Sequence, residues 1–378
     1  MPSAAELLRN LVSINSVNPD LVPGAAGEEE IASFCAGWLK RRGFEVHRLE
    51  ARQGRPSVVG IAKGKGGGRS LMFNGHIDTV TLAGYDGDPL EARLEDGKLY
   101  GRGSFDMKRG VAAMLVAAAR AAKHGLAGDI LVACVADEEY ASLGTAEVVR
   151  HFKADAAIVT EPSHLDLTLA HKGFVWFDVI IEGRAAHGSR PELGVDAIAK
   201  AGHFLVALET YGQELLARPG HPILRTGSVH ASIIKGGEEL SSYPAACRVS
   251  LERRTIPGET GDTVEAELRG ILDAIAGAVA EFRYGLERGL ERVPFEAKAD
   301  EPIVICLRKH AAEALGRAPK VRGEPFWTDC AILKEAGIPC LLFGADGAGA
   351  HAATEWATVG SVETLAHILE RTAIEFCG

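Results

Sequence analysis

The sequence predicts an α/β protein: a mixed, largely parallel sheet flanked by helices, interrupted by a smaller α+β unit. Three observations predict it. Short apolar runs alternate with segments of helical spacing from the start of the chain to about residue 171, the signature of strands and helices wound into one sheet. Near residue 172 the texture changes to an alternating run, and the first texture resumes near Pro302. The expected organisation is therefore a discontinuous domain, residues 1–171 and 294–378, carrying an insertion at 172–293. A chain of 378 residues has room for one large domain or two, and buries enough surface that metal or disulfides are not needed merely to hold a core.

Taken in order, Leu7, Leu8, Leu11 and Val12, then Ile31, Phe34, Cys35, Trp38 and Leu39, recur at helical spacing, so two helices are expected, parted by the Asn18-Pro19 turn signal. Strands follow at Ser57–Ile61 and Leu71–Phe73. The glycines of residues 63–69 between them suit a flexible hairpin; neither a P-loop nor a Rossmann spacing is present, which argues against phosphate binding. The Ala-rich stretch Met107–His124 has no breaker after Gly110 and is the most secure helix. Ile130–Val135 and Ala156–Val159 are buried-strand runs.

In the insertion, Phe174–Ile181 alternates, Val195–Leu208 is helical, Gly227–Ile234 and Ala246–Leu251 form a β-type pair, and a long amphipathic helix runs from Thr263 to about Ala280. That β-α-β-β-α order is ferredoxin-like. The first architecture resumes around Pro302–Gly316 and closes near Phe376.

Composition excludes several functions. Lys and Arg total 41 against 51 Asp and Glu, a formal charge of −10 with no basic patch, so nucleic acid is not an expected partner. No apolar run reaches the ~18 residues of a membrane span, and the N-terminus lacks a signal-peptide layout, so a cytoplasmic protein is expected. Seven scattered cysteines without a Cys-x-x-Cys pair are expected to be reduced core fillers, with no thiolate zinc site.

The chemistry lies where strands end. His76 and Asp78 follow Leu71–Phe73, Glu138 and Glu139 follow Leu131–Val135, Glu161 follows Ile158–Thr160, and His351 lies in the glycine-rich loop after Cys340–Phe343. In an open α/β sheet the carboxyl edge is where ligands bind, so separate segments would deliver these side chains to one crevice. Asp106, at the start of the Ala-rich helix, is a further candidate, although a helix cap would also account for it. Histidines and carboxylates together are a ligand set for zinc, cobalt or manganese. Residues two apart on an extended backbone share a face, so Asp78 can orient the His76 ring. Glu138 and Glu139 are neighbours and point apart, so one can bind metal while the other acts on water.

Gly75-His76-Ile77-Asp78, Gly101-Arg102-Gly103-Ser104-Phe105-Asp106-Met107-Lys108, Asp137-Glu138-Glu139, Thr160-Glu161-Pro162 and Gly349-Ala350-His351 with Glu355 together resemble the M20 family of metallopeptidases and deacylases, over nearly the whole chain. The resemblance implies a zinc-exopeptidase-like catalytic domain with a lid that also makes a homodimer. It implies two divalent ions, Zn2+ first with Co2+ or Mn2+ as alternatives. His76, Asp106 and Glu161 would hold one, and Asp106, Glu139 and His351 the other. Glu138 corresponds to the general base and Asp78 to the residue orienting His76. A cis peptide just after Asp106 is also implied.

Within the insertion, Gly183–Ser189 resembles the lid segment whose histidine, here His187, helps stabilise an oxyanion, in dimeric members from across the subunit boundary. Leu251–Gly258 resembles the segment supplying an arginine to the substrate carboxylate; Arg254 fits best. Three departures leave the ligands intact and bear on substrate contacts: Ser241 where Asn is frequent, Ala245 where Asp is usual, and Gly344-Ala345-Asp346-Gly347 in place of Gly-Pro-Gly. The implied reaction is hydrolysis of an amide bond in a small N-acyl amino acid. A metallo-exopeptidase (carboxypeptidase or dipeptidase) acting on short peptides, and a non-catalytic metal- or ligand-binding homologue, are the alternatives.

Overall fold

The computed structural model describes residues 3–378, which divide into two compact units. One holds the chain up to Leu169, Ala297–Arg322 and Thr328–Gly378; the other holds Ala170–Glu296 and Gly323–Trp327.

The first unit begins with helix Ala4–Val12, closed by a reciprocal box: Glu6 N–H donates to Ser3 Oγ at 3.1 Å and Ser3 N–H donates to the Glu6 carboxylate at 2.9 Å. Helix Glu29–Lys40 follows. The central sheet then runs, strand beside strand, Glu45–Glu50, Pro56–Ala62, Ile130–Val135, Leu71–His76, Ala156–Val159, Cys340–Leu342 and Leu167–His171. The third to sixth, from Ile130–Val135 to Cys340–Leu342, are mutually parallel, and their residues are buried throughout, as strands covered on both faces must be. Their carboxyl ends therefore share one edge.

One expectation is corrected. Residues 63–69 are not a hairpin, because Pro56–Ala62 and Leu71–His76 are not neighbours; Ile130–Val135 lies between them and pairs with both. The glycine-rich segment is a crossover that lies flat against another backbone: Lys65 N–H donates to Leu126 O at 2.9 Å and Gly66 N–H to Ala127 O at 2.8 Å.

Helix Lys108–Ala121 is buried on nearly every side, so its alanines do what small side chains do best, letting the sheet and helix Val359–Cys377 approach closely. Gly110 shows how tight this is. A Cβ there would lie 2.2 Å from Thr160 O, so only glycine lets the helix start press on the strand end that presents Glu161. A small antiparallel sheet, Gly347–Ala348, Trp356–Thr358, Lys98–Tyr100 and Arg93–Glu95, ties the loop after Cys340–Leu342 to the segment before Asp106.

In the second unit, Gly173–Glu182, helix Ala197–Ala217, Ser228–Gly236, Ala246–Thr255, helix Gly261–Ala278 and Arg283–Arg292 follow in β-α-β-β-α-β order. The antiparallel sheet is ordered Ser228–Gly236, Ala246–Thr255, Gly173–Glu182, Arg283–Arg292. Alternation selects the face: Val175, Phe177, Val179 and Ile181 pack with Phe204, Leu208, Leu268 and Leu272 of the helices. Asp196 and Thr260 cap those helices by accepting from Ala199 and Thr263 N–H.

Among the described residues no helix is long and apolar enough to cross a membrane. All seven cysteines are buried and free.

Candidate metal centre

The four parallel strands deliver the candidate ligands. His76 is the last residue of its strand, Glu138 and Glu139 come three and four residues after Val135, Glu161 comes two after Val159, and His351 lies farther out in the loop after Leu342. Ligand atoms of His76, Asp106 and Glu139 fall within 4.8 Å of one another, as do those of His76, Glu138 and Glu161.

Asp106 sits between the two histidines. Its Oδ1 is 3.3 Å from His76 Nε2 and its Oδ2 is 3.5 Å from His351 Nε2. Glu161 Oε1 is also 3.3 Å from His76 Nε2, and Glu139 Oε2 is 3.0 Å from His351 Nε2. Glu138 stands farther off, with Oε2 at 3.9 Å from His76 Nε2. Grouping by mutual distance puts Glu138 with His76 and Glu161, but the closer contacts pair His76 with Asp106 and Glu161, and His351 with Glu139 and Asp106. The Asp106–Met107 peptide is cis. Asp106 is not a helix cap: the cap position of helix Lys108–Ala121 is Met107, and no side chain makes a cap bond there. The cluster is sealed on the His76 side and open on the other, since the side chain of His76 is 1% exposed and that of His351 54%.

The electrostatics test whether cations fit. Burial foremost pushes Glu138 up, with Glu161, Asp329 and Glu139 adding and His76 opposing. Burial and Asp106 push Glu139 up to about 7, and burial and Asp106 raise Glu161 against the pull of His76. The histidines move to meet this charge. His351, bonded to Asp106 and Glu139, rises to about 10; His76 rises although burial opposes it, drawn by Glu161, Asp106 and Asp78. Carboxylates crowded around two imidazoles in a largely buried cluster carry more negative charge than burial tolerates unless cations offset it. The nitrogen and oxygen donor set fits divalent zinc, cobalt or manganese.

Behind the ligands lies a polar network that only partly surfaced in the sequence. The Asp78 carboxylate accepts from the backbone N–H of Glu138 at 3.1 Å and of Glu139 at 3.2 Å, so one buried side chain sets both glutamates. His76 Nδ1 lies 3.1 Å from the Asp78 carbonyl oxygen and 3.5 Å from its carboxylate. Asn18 Nδ2 donates to Asp78 at 2.8 Å and to Asp137 at 3.0 Å, while its Oδ1 accepts from Asp20 N–H at 3.0 Å. The turn signal and the network are thus two ends of one amide. Asp137 in turn accepts from Arg55 at 2.7 Å, and Arg55 grips Glu28 at 2.6 and 2.7 Å. Asn18, Asp78, Asp137, Glu28 and Arg55 are all buried. Another missed residue, Asp329, is buried among these charges and rises to about 6, burial being the main cause; its Oδ2 accepts from Thr145 Oγ1 at 2.5 Å. No local spacing marks Arg55, Asp329 or the part Asn18 plays in the network, because their partners are far away in the chain.

His187 and Arg254 lie in the second unit. His187 is exposed on a turn, where Ser189 N–H donates to its Nδ1 at 3.2 Å. Gly188 N–H donates to Ser241 O at 2.7 Å, so the segment with the unexpected serine braces that turn. Arg253 and Arg254 alternate across their strand. Arg253 is buried and bound to Tyr211 and Glu259, whereas Arg254 is partly exposed, bonded to Glu252 at 2.6 Å and stacked over Phe174. In the first unit, Ala345 O accepts from buried Arg109 at 3.0 Å and Asp346 pairs with His164 at 2.5 Å.

Cys306, His310 and Glu375 form a further set within 4.8 Å. Lys309 Nζ already pairs with Glu375 at 2.6 Å, and burial and Glu375 push the Cys306 thiol up to about 11. That cluster is accounted for by ion pairing at a helix surface.

The sequence profile of peptidase family M20/M25/M40 matches residues 72–375. The chain is 30% identical to an acetylornithine deacetylase of Myxococcus xanthus, over 100% of this chain and 98% of that protein. It is 27% identical to N-formyl-4-amino-5-aminomethyl-2-methylpyrimidine deformylase of Bacillus subtilis, over 98% of this chain and 94% of that one. Its fold is similar to that of the YXEP protein of Bacillus subtilis, described as a dinuclear metal binding peptidase, with a TM-score of 0.76, 16% identity, and coverage of 99% and 97% of the two chains.

Proposed function

The chain belongs to peptidase family M20/M25/M40, hydrolases of amide and peptide C–N bonds, and from that membership we propose that it is a dinuclear-metal deacylase of small N-acyl amino acids. The observation that carries this reading is the meeting of His76, Glu138, Glu139 and Glu161, from the carboxyl ends of adjacent parallel strands, with Asp106 from the turn before helix Lys108–Ala121. End-to-end likeness to an acetylornithine deacetylase supports deacylation over peptidolysis.

In this reading His76, Asp106 and Glu161 hold one divalent ion, Zn2+ by preference, and Asp106, Glu139 and His351 hold the other. Such ions, when bound, supply Lewis acidity that makes water a nucleophile near neutral pH and polarises the scissile carbonyl. Glu138, set back from His76 and raised by burial, takes the water's proton and delivers it to the leaving nitrogen. Asp78 orients His76 and aims both glutamates through their backbone N–H groups. His187 accepts at Nδ1 from Ser189, which leaves the Nε2–H tautomer to donate to the tetrahedral oxyanion. Arg254 offers its guanidinium fork to the substrate carboxylate.

The second unit is also the proposed homodimer surface. Its edge strand Ser228–Gly236 exposes Ile233 and Ile234, and helix Ala197–Ala217 exposes Val206 and Leu216, an unpaired edge with apolar neighbours of the kind that pairs with another chain.

The test is a substrate screen with added zinc, cobalt or manganese, comparing N-acetylornithine, N-succinyl-diaminopimelate and a panel of dipeptides. Release of free amine from an N-acyl amino acid is expected. Preference for dipeptides would make the protein an exopeptidase. No turnover of any of these with both ions bound would make it a non-catalytic homologue.

A further inference from the structure

Glu355 is a buried carboxylate outside the ligand set, and every bond its side chain makes goes to one loop. Its Oε1 accepts from Phe105 N–H and Asp106 N–H, each at 2.9 Å. Its Oε2 accepts from Gly103 N–H at 3.0 Å and from Arg102 Nη1 at 2.9 Å. Arg102 closes the ring by donating from Nη2 to Ala352 O at 3.0 Å, one residue past His351. The main chain repeats the connection, with Gly101 N–H donating to Glu355 O at 3.2 Å. The segment bearing Asp106 and the segment bearing His351 are thus joined by one carboxylate and one guanidinium, both buried. Gly103, at φ +78°, supplies the left-handed turn that points its N–H at Glu355.

We propose that Glu355 is a positioning residue: it sets the separation of Asp106 from His351 and thereby the affinity of the ion these two share with Glu139. The inference rests on the dinuclear reading above. His76 and Glu161 are delivered by strand ends and make no bond to Glu355, so the other ion keeps two of its ligands undisturbed. A glutamine at 355 keeps the shape but not the function. Its amide nitrogen would face two N–H donors wherever it pointed, because each carboxylate oxygen now accepts from two.

The experiment titrates cobalt into chelator-treated full-length protein, following heat and visible absorption, for wild type, Glu355→Gln and Arg102→Lys. Wild type is expected to take up two ions. Glu355→Gln should bind one ion much as wild type does and the other about 10- to 100-fold more weakly, the usual cost of losing an outer-shell partner. Arg102→Lys, which keeps the charge but not the bridge to Ala352, should show a smaller loss at the same ion. It carries the test alone should Glu355→Gln fail to fold. Wild-type affinities at both ions, or equal weakening of both, in a folded variant would overturn the inference. A wild type that takes fewer than two ions would overturn the dinuclear reading instead.

Discussion

The candidate side chains of the two units are held in different ways. Those of the first unit are built in depth: His76 ends a buried strand, Glu138 and Glu139 are aimed by a buried aspartate, and that aspartate is fixed by Asn18. His187 and Arg254, in the second unit, are exposed or partly so, and their side chains take their hydrogen bonds from residues two away in the chain, Ser189 and Glu252. A charge that must stay put in a low-dielectric site needs partners from all sides, and those come only from distant parts of the chain. A group that meets a substrate from solvent needs only local bonds.

The largest effect should fall on the proton carrier. Glu138→Gln is expected to lower turnover about 10²- to 10⁴-fold while leaving metal content nearly normal; retained turnover would remove Glu138 from the mechanism. His187→Ala should cost about 10²- to 10³-fold in kcat, as the loss of an oxyanion donor does. Because the residue is exposed, its thermal unfolding should match wild type, and a marked drop in Tm would erase the contrast between the units. Arg254→Ala should raise KM about 10- to 100-fold for substrates with a free carboxylate, the worth of a charged hydrogen bond. An unchanged KM would give the carboxylate to another residue. The mildest effect on turnover, and the clearest on stability, is expected for Asn18→Ala. It strands buried Asp78 and Asp137 without their shared donor and should cost about 1–3 kcal/mol in denaturant unfolding. Wild-type stability there would show that the network is not what holds the glutamates.

Much of this was legible in the chain because it depends on local pattern. Apolar runs marked the four parallel strands, and polar residues just past them marked His76, Glu138, Glu139 and Glu161, since a strand that ends at a sheet edge must hand its next side chains to that edge. The alternation of Phe174–Ile181 marked the inner face of the second sheet in the same way. Residues 63–69 misled because glycine between two strands reads alike whether they pair or another strand lies between them; strand order is a long-range property.

By itself, then, the sequence determined the fold class and which side chains stand at strand ends, for periodicity and burial act over a few residues. Only the tertiary structure decided that Asp106 presents one oxygen to each histidine, that Asn18 bridges two buried aspartates, and that Glu355 clamps two loops. Each of those is a matter of desolvated groups finding complementary partners across the folded chain, where no spacing along the sequence can announce them.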